Sequence, residues 1–129
     1  MSTVGVGIDI VDVERFSVAL DRHPAILTRL FTESERSDAH GHAERLAARF
    51  AAKEAVLKTL GVGVGAASWR SIEIHRDASG APSVRLHGAA ATLARSRGVG
   101  RLHLSMSHTK MTAAAFVVAS AEEESTGAR

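Results

Sequence analysis

One stretch, Phe50-Ala51-Ala52-Lys53-Glu54-Ala55-Val56-Leu57-Lys58-Thr59-Leu60-Gly61, limits what this chain can fold into more than any other. It reads as the end of a strong helix, yet it carries charge where apolar residues belong. At ~100° per residue, Leu46, Phe50 and Leu57 fall on one narrow stripe. Lys53 and Glu54 lie roughly 60° and 40° from Phe50, on either side of it. Both are inside the arc that a core-facing helix buries. A half-buried carboxylate is costly without a cation or hydrogen bonds to hold it, so Glu54 needs a partner.

The rest of the pattern tells what that helix packs against. Val4, Val6, Ile8 and Ile10 alternate with Gly5, Gly7 and Asp9. The alternation predicts a strand with one apolar and one bare face, and the bare face lets a backbone or ligand approach closely. Asp9 emerges from that bare face at the strand's end. Residues 12–22 read as a helix with Asp12 as N-cap, which Pro24 breaks. A short helix follows through Leu30, and Thr32 and Glu35 stand at capping-box spacing to start another. The long helix is expected over residues 43–60, with Gly61 as its stop. Residues 61–65 form a loop. Residues 71–75 and 84–86 make a hairpin, 89–97 a short helix, and 102–108 a strand. Residues 113–119, wholly apolar, make a central strand. Strand, helices, hairpin, helix and two more strands indicate an α+β fold, a small antiparallel sheet packed on the long helix.

The expected domain spans residues 1–121, and residues 122–129, with Glu122, Glu123 and Glu124, read as a disordered acidic tail. Residues 1–121 carry 15 basic and 11 acidic side chains. That mild excess suits an acidic partner or a phosphorylated ligand. It is too sparse for a duplex nucleic-acid binder, and with aromatics at 4% there is little for base stacking. No cysteine is present, which excludes disulfides, thiolate metal sites and a cysteine nucleophile. No apolar run approaches the ~20 residues that span a bilayer, and the N-terminus lacks a signal-peptide pattern, so the expected setting is cytoplasmic, with no membrane partner.

Five groups carry possible chemistry. A lone strand-end Asp such as Asp9 is ordinarily a turn residue or cap. Glu54 and Lys58, spaced i,i+4, ordinarily form a solvated pair, but their place beside Phe50 argues against that. Gly61, Gly63 and Gly65 fit a linker or a loop that offers N–H groups to phosphate, and no Walker-type Gly-Lys-Ser is present. His108 ends an apolar strand face, where histidines are more often hydrogen-bonded fillers. Arg15 and Arg22 lie on one line of a helix, and Arg29 continues the spacing; a solvated face and a site for an acidic helix both fit. Together, two carboxylates, a lysine and loop amides describe a Mg²⁺ ion completed by substrate phosphates and water. Phosphoryl transfer needs little else.

Residues 7–16 (GIDIVDVERF), 49–55 (RFAAKEA) with Lys58 and 61–63 (GVG), and 104–108 (LSMSH) resemble the holo-[acyl-carrier-protein] synthases, the short bacterial 4′-phosphopantetheinyl transferases. The motifs stand in the family's order and spacing. The resemblance implies that coenzyme A binds with its pyrophosphate on Mg²⁺ and that a serine of an acyl carrier protein attacks the phosphorus joined to pantetheine. Adenosine 3′,5′-bisphosphate leaves. Asp9 and Glu54 would be the metal ligands, and Glu54 or a metal-bound water would take the serine proton. Lys58 would steady the phosphate charge. Arg49, His108, Gly61 and Gly63 would hold coenzyme A, and Arg15, Arg22 and Arg29 would meet the carrier protein. Longer relatives join two such folds around one site, so the resemblance implies a homotrimer with sites at its interfaces. Val11 stands where those relatives carry a third acid, which leaves that metal position to water. Thr109 follows His108 where many relatives carry an acid. The alternative is a non-catalytic module that holds a nucleotide or an acidic helix.

Overall fold

A computed structural model describes residues 2–122. The chain runs β1 (Thr3–Asp12), α1 (Val13–Arg22), α2 (Ala25–Leu30), α3 (Glu33–Ala39), α4 (Ala43–Thr59), a 3₁₀ turn (Trp69–Ser71), β2 (Ile72–Arg76), β3 (Pro82–Leu86), α5 (Gly88–Ser96), β4 (Val99–His108) and β5 (Thr112–Ala121). It is the expected α+β arrangement. The acidic tail, Glu122 apart, lies outside the described residues. Among those residues, no helix is long and apolar enough to cross a membrane.

Local signals set the boundaries. Asp12 accepts the Arg15 N–H at 2.9 Å and starts α1. Thr32 and Glu35 form a complete capping box on α3. Gly61, at φ 73°, ends α4. Its N–H donates to the Lys58 carbonyl and that of Val62 to the Leu57 carbonyl, the two bonds of a Schellman motif.

The three-stranded antiparallel sheet has the order β1-β5-β4, so the apolar β5 is central as expected, while β2 and β3 pair as a separate hairpin. On the inner face, Gly7 stands opposite Val117 and Asp9 opposite Ala115. Leu104 and Met106 continue those two rows on β4. Helix α4 covers this face, and Ile72, Ile74, Ala90 and Ala94 from the hairpin and α5 join the same core. A second cluster joins Val13, Phe16, Leu30 and Phe31 to Leu46 and Ala47 near the start of α4. Phe50 bridges inward, stacked on Phe16 at 5.3 Å and tilted against Trp69 at 5.2 Å between ring centroids.

The bare face of β1 is therefore the buried one. Its apolar face points away from the core: Val4, Val6, Ile8 and Ile10 are exposed, Ile10 to 67%, and Phe116 of β5 lies beside Ile8.

Candidate active site

Two glycines let α4 lie directly on β1. A Cβ at Gly7 would sit 2.2 Å from the Ala55 carbonyl oxygen, and one at Gly5 2.4 Å from that of Thr59. No side chain fits at either place, so backbone meets backbone. The contact falls on the turn of α4 that carries Glu54 and Lys58, and Asp9 follows Gly7 on the same face of β1.

These three side chains meet. Lys58 Nζ donates to Asp9 Oδ1 at 2.8 Å and to the Ile8 carbonyl at 3.0 Å. Asp9 is 9% exposed, and its Oδ2 is buried with no hydrogen-bond partner. Glu54 is half-buried. Partial burial, then a hydrogen bond with Asp9 and the like charge there, push its carboxyl up to about 7, against a smaller lowering by Lys58. The hydrogen bond to Asp9 raises the Lys58 ammonium above its ordinary value. Two carboxyls thus compete for one ammonium, and with Glu54 ionised one buried oxygen has no donor. That donor set suits a hard divalent cation such as Mg²⁺, which binds through one or two carboxylates and keeps water and phosphate for the rest of its shell. No cluster of three or more potential metal-ligating side chains exists among the described residues, so the protein offers the ion this pair.

A second locus is polar and mixed in charge. Arg45, Arg49, Arg76 and His108, with Asp38, Glu44 and Asp77, line a cleft of about 520 Å³. Asp9, Glu54 and Lys58 do not line it. Arg49 is 2% exposed; one end donates to the Arg45 carbonyl at 3.2 Å, while its Nε is buried without a partner. Burial, then Arg76, lowers its guanidinium from the ordinary value. Gly61 and Gly63 lie past the other end of α4, about 18 Å along the axis from Arg49 at 1.5 Å per residue. The Gly61 N–H is already spent on the helix cap; Gly63 is exposed. On the far side of α1, Arg15 and Arg22 line a shallow groove with exposed Val18 between them, and Arg29 is exposed on α2.

A profile of the 4′-phosphopantetheinyl transferase superfamily matches residues 5–116. The chain belongs to that superfamily. Among its relatives, the holo-[acyl-carrier-protein] synthase of Clavibacter sepedonicus is 51% identical over 118 residues, covering 92% of this chain and 96% of that protein. That of Moorella thermoacetica is 47% identical over 115 residues, covering 87% and 90%. The crystal structure of holo-[acyl-carrier-protein] synthase from Neisseria meningitidis superposes with a TM-score of 0.83 at 37% identity, covering 92% of this chain and 98% of that one. The Helicobacter pylori synthase in complex with coenzyme A superposes at 0.81 with 32% identity, covering 89% and 99%.

In this phosphopantetheinyl transferase fold, one copy brings Asp9, Glu54 and Lys58 together and Arg49 with His108. It keeps Gly61 and Gly63 away from the Arg49 cleft. One pair escaped the sequence reading. Lys53, beside Glu54, is wholly buried, and its Nζ donates to Glu35 Oε1 at 2.8 Å, to the Trp69 carbonyl at 2.9 Å and to the Ile72 carbonyl. A lysine inside an apolar arc signals a buried acid, but nothing in its spacing singles out Glu35.

Proposed function

We propose that this protein transfers 4′-phosphopantetheine from coenzyme A to a serine hydroxyl of an acyl carrier protein, with Mg²⁺ held by Asp9 and Glu54. The orphaned Oδ2 of Asp9, beside a Glu54 carboxyl poised near neutrality, carries the reading. The cation, when bound, neutralises phosphate charge and orients the pyrophosphate. The serine oxygen forms a bond to the phosphorus that bears pantetheine. The bond from that phosphorus to the bridging oxygen breaks, and adenosine 3′,5′-bisphosphate leaves. Glu54 would receive the serine proton. Lys58, fixed against Asp9, presents positive charge beside the reacting phosphate. Arg49 and His108 hold other phosphates of coenzyme A. Arg15, Arg22 and Arg29, with Val18 among them, receive an acidic helix of the carrier.

Two observations support a homotrimer with shared sites. The acidic pair and the Arg49–His108 cleft are separate in one copy, so a neighbour's cleft can complete each centre. The outward row of Val4, Val6, Ile8, Ile10 and Phe116 is a contiguous apolar strip of the kind that copies of a chain cover. Sedimentation tests the assembly, with a monomer as the contrary result.

The reaction is tested by mass spectrometry of an apo-carrier incubated with the protein, coenzyme A and Mg²⁺. A gain of one phosphopantetheine, abolished by EDTA, is expected. Carrier or nucleotide binding without any gain would identify a non-catalytic module instead.

A further inference from the structure

Helix α4 must present Glu54 at one rotation about its own axis. A carboxylate roughly 6 Å from the axis moves about 1.5 Å for a ~15° turn, given a helix ~10–12 Å across with its side chains. Misplacement of about 1 Å can cost ~100-fold in rate. Yet directly around Glu54 the buried side chains of α4 are mostly small, Ala47, Ala48, Ala51, Ala52 and Ala55, with the larger Leu46, Val56 and Leu57 towards its two ends. Alanine ridges interlock weakly. The bare Gly5 and Gly7 contact sets how close α4 comes to β1, but glycine and alanine facing each other beside Glu54 add little resistance to rotation there.

The missing constraint lies one residue before Glu54. Lys53 has three N–H donors, and all three are used. Their acceptors belong to α3, the 3₁₀ turn and β2. Glu35 is itself fixed: its Oε1 also accepts the Thr32 N–H, and its Oε2 accepts the Ile74 N–H, both at 2.9 Å. Lys53 and Glu35 are both fully buried. Turning α4 would pull an ammonium off three oxygens where no water can replace them, a large penalty. We infer that Lys53, gripped by Glu35, Trp69 and Ile72, is a positioning residue that fixes the rotation of α4 and so aims Glu54 at Asp9. It touches no reacting atom, and the inference rests on the role proposed above for Glu54.

The test replaces the ion pair by a neutral pair, Lys53→Met with Glu35→Gln, which keeps an acceptor near the Ile74 N–H. Three readings are taken well below the variant's melting midpoint. The turnover number kcat at saturating coenzyme A and carrier should fall about 10–100-fold. KM for coenzyme A should change by less than kcat, because Arg49 and Lys58 turn with α4 while His108 on β4 stays in place. Calorimetric Mg²⁺ affinity of the carrier-free enzyme saturated with coenzyme A should drop about tenfold, as expected for disturbed support behind a ligand. Lys53→Arg, which keeps the charge but not the three-point grip, should show the same pattern. A folded variant with wild-type kcat and wild-type Mg²⁺ affinity overturns the inference. So does failure of both variants to fold, because the pair is then a folding determinant and nothing more. Wild-type protein that transfers nothing sinks the parent reading instead, and the Mg²⁺ titrations still judge the positioning role.

Discussion

On one side of α4, the Lys53 ammonium meets three oxygens and the Glu35 carboxylate meets three N–H donors; on the other, the carboxyls of Asp9 and Glu54 share the single ammonium of Lys58. Lys53 and Glu54 are adjacent in the chain. The first group is sealed, charge-balanced and saturated with hydrogen bonds, so a ligand has nothing to add there. With Glu54 ionised, the second carries one excess negative charge and a buried oxygen without a donor. A buried charge costs several kcal/mol unless its bonds are made, so a folded protein keeps such an imbalance only where something else completes it. Burial and charge alone do not distinguish structure from site; the number of unmade bonds does.

Substitutions on the two sides should therefore fail differently. Glu54→Gln should lower transfer by roughly 1,000-fold, about 4 kcal/mol on the barrier, because it removes a proton acceptor and a cation ligand together. Single-turnover transfer read by mass spectrometry checks this. Equal activity in the variant would erase the contrast between the two groups. Lys53→Met should, besides the smaller loss of kcat expected from its positioning role, cost about 3 kcal/mol of stability, because it strands the Glu35 carboxylate in the core. Urea unfolding monitors it, and a loss below about 0.5 kcal/mol would show that water reaches the pair.

The next test moves the helix that carries both groups. Gly7→Ala puts a methyl within 2.2 Å of the Ala55 carbonyl oxygen, so α4 and β1 must part locally. Overpacking of this kind costs about 2 kcal/mol. Because the shift is centred on Glu54 and Lys58, transfer should fall more steeply than stability, while Lys53 keeps its acceptors. A variant as stable and active as wild type would show that the sheet yields instead.

What was legible in the sequence follows the range of the interaction. The Asp12 cap, the Thr32–Glu35 box and the Gly61 stop were all readable, since residues within one turn decide them. The glycines of β1 announced a close approach, and α4 makes it. The direction of β1 was not readable, because four branched side chains normally turn inward; here the bare face is buried under α4 and the branched face is left outside. β4 starts at Val99, three residues before the predicted Leu102, as the alternation is weak around Gly100. Lys53 finds Glu35 across 18 residues and Asp9 meets Glu54 across 45. No local pattern encodes either pairing; the second was inferred from the chemistry of two carboxylates beside a lysine and sharpened by the order of the family motifs.

The smallest effect is the most diagnostic, because it reads the strain at the acidic pair without any turnover. In metal-free protein the Glu54 carboxyl is pushed from its ordinary 4.5 to about 7. The unfolded chain gives up this proton near 4.5, whereas the folded one holds it until about 7. The folded state thus binds more protons between those values, and stability must fall as pH rises through that window, then level off. Glu54 is only partly buried, so screening reduces the effect to about 1 kcal/mol. Glu73 works in the opposite sense and elsewhere: although burial pushes its carboxyl up, bonds from Thr32, His75 and His87 hold it at about 2, so its contribution is lost only as pH falls below about 4.5. Urea unfolding of EDTA-treated protein at pH 5 and pH 8 should show the decline in wild type. Subtracting the same pair of curves for Glu54→Gln isolates the contribution of Glu54. At pH 8 the variant should be the more stable by about 1 kcal/mol, and added Mg²⁺ should stabilise the wild type alone. If wild type and variant instead run parallel across the window, Glu54 is at ease in the fold, and the acidic pair is as satisfied as Lys53 and Glu35.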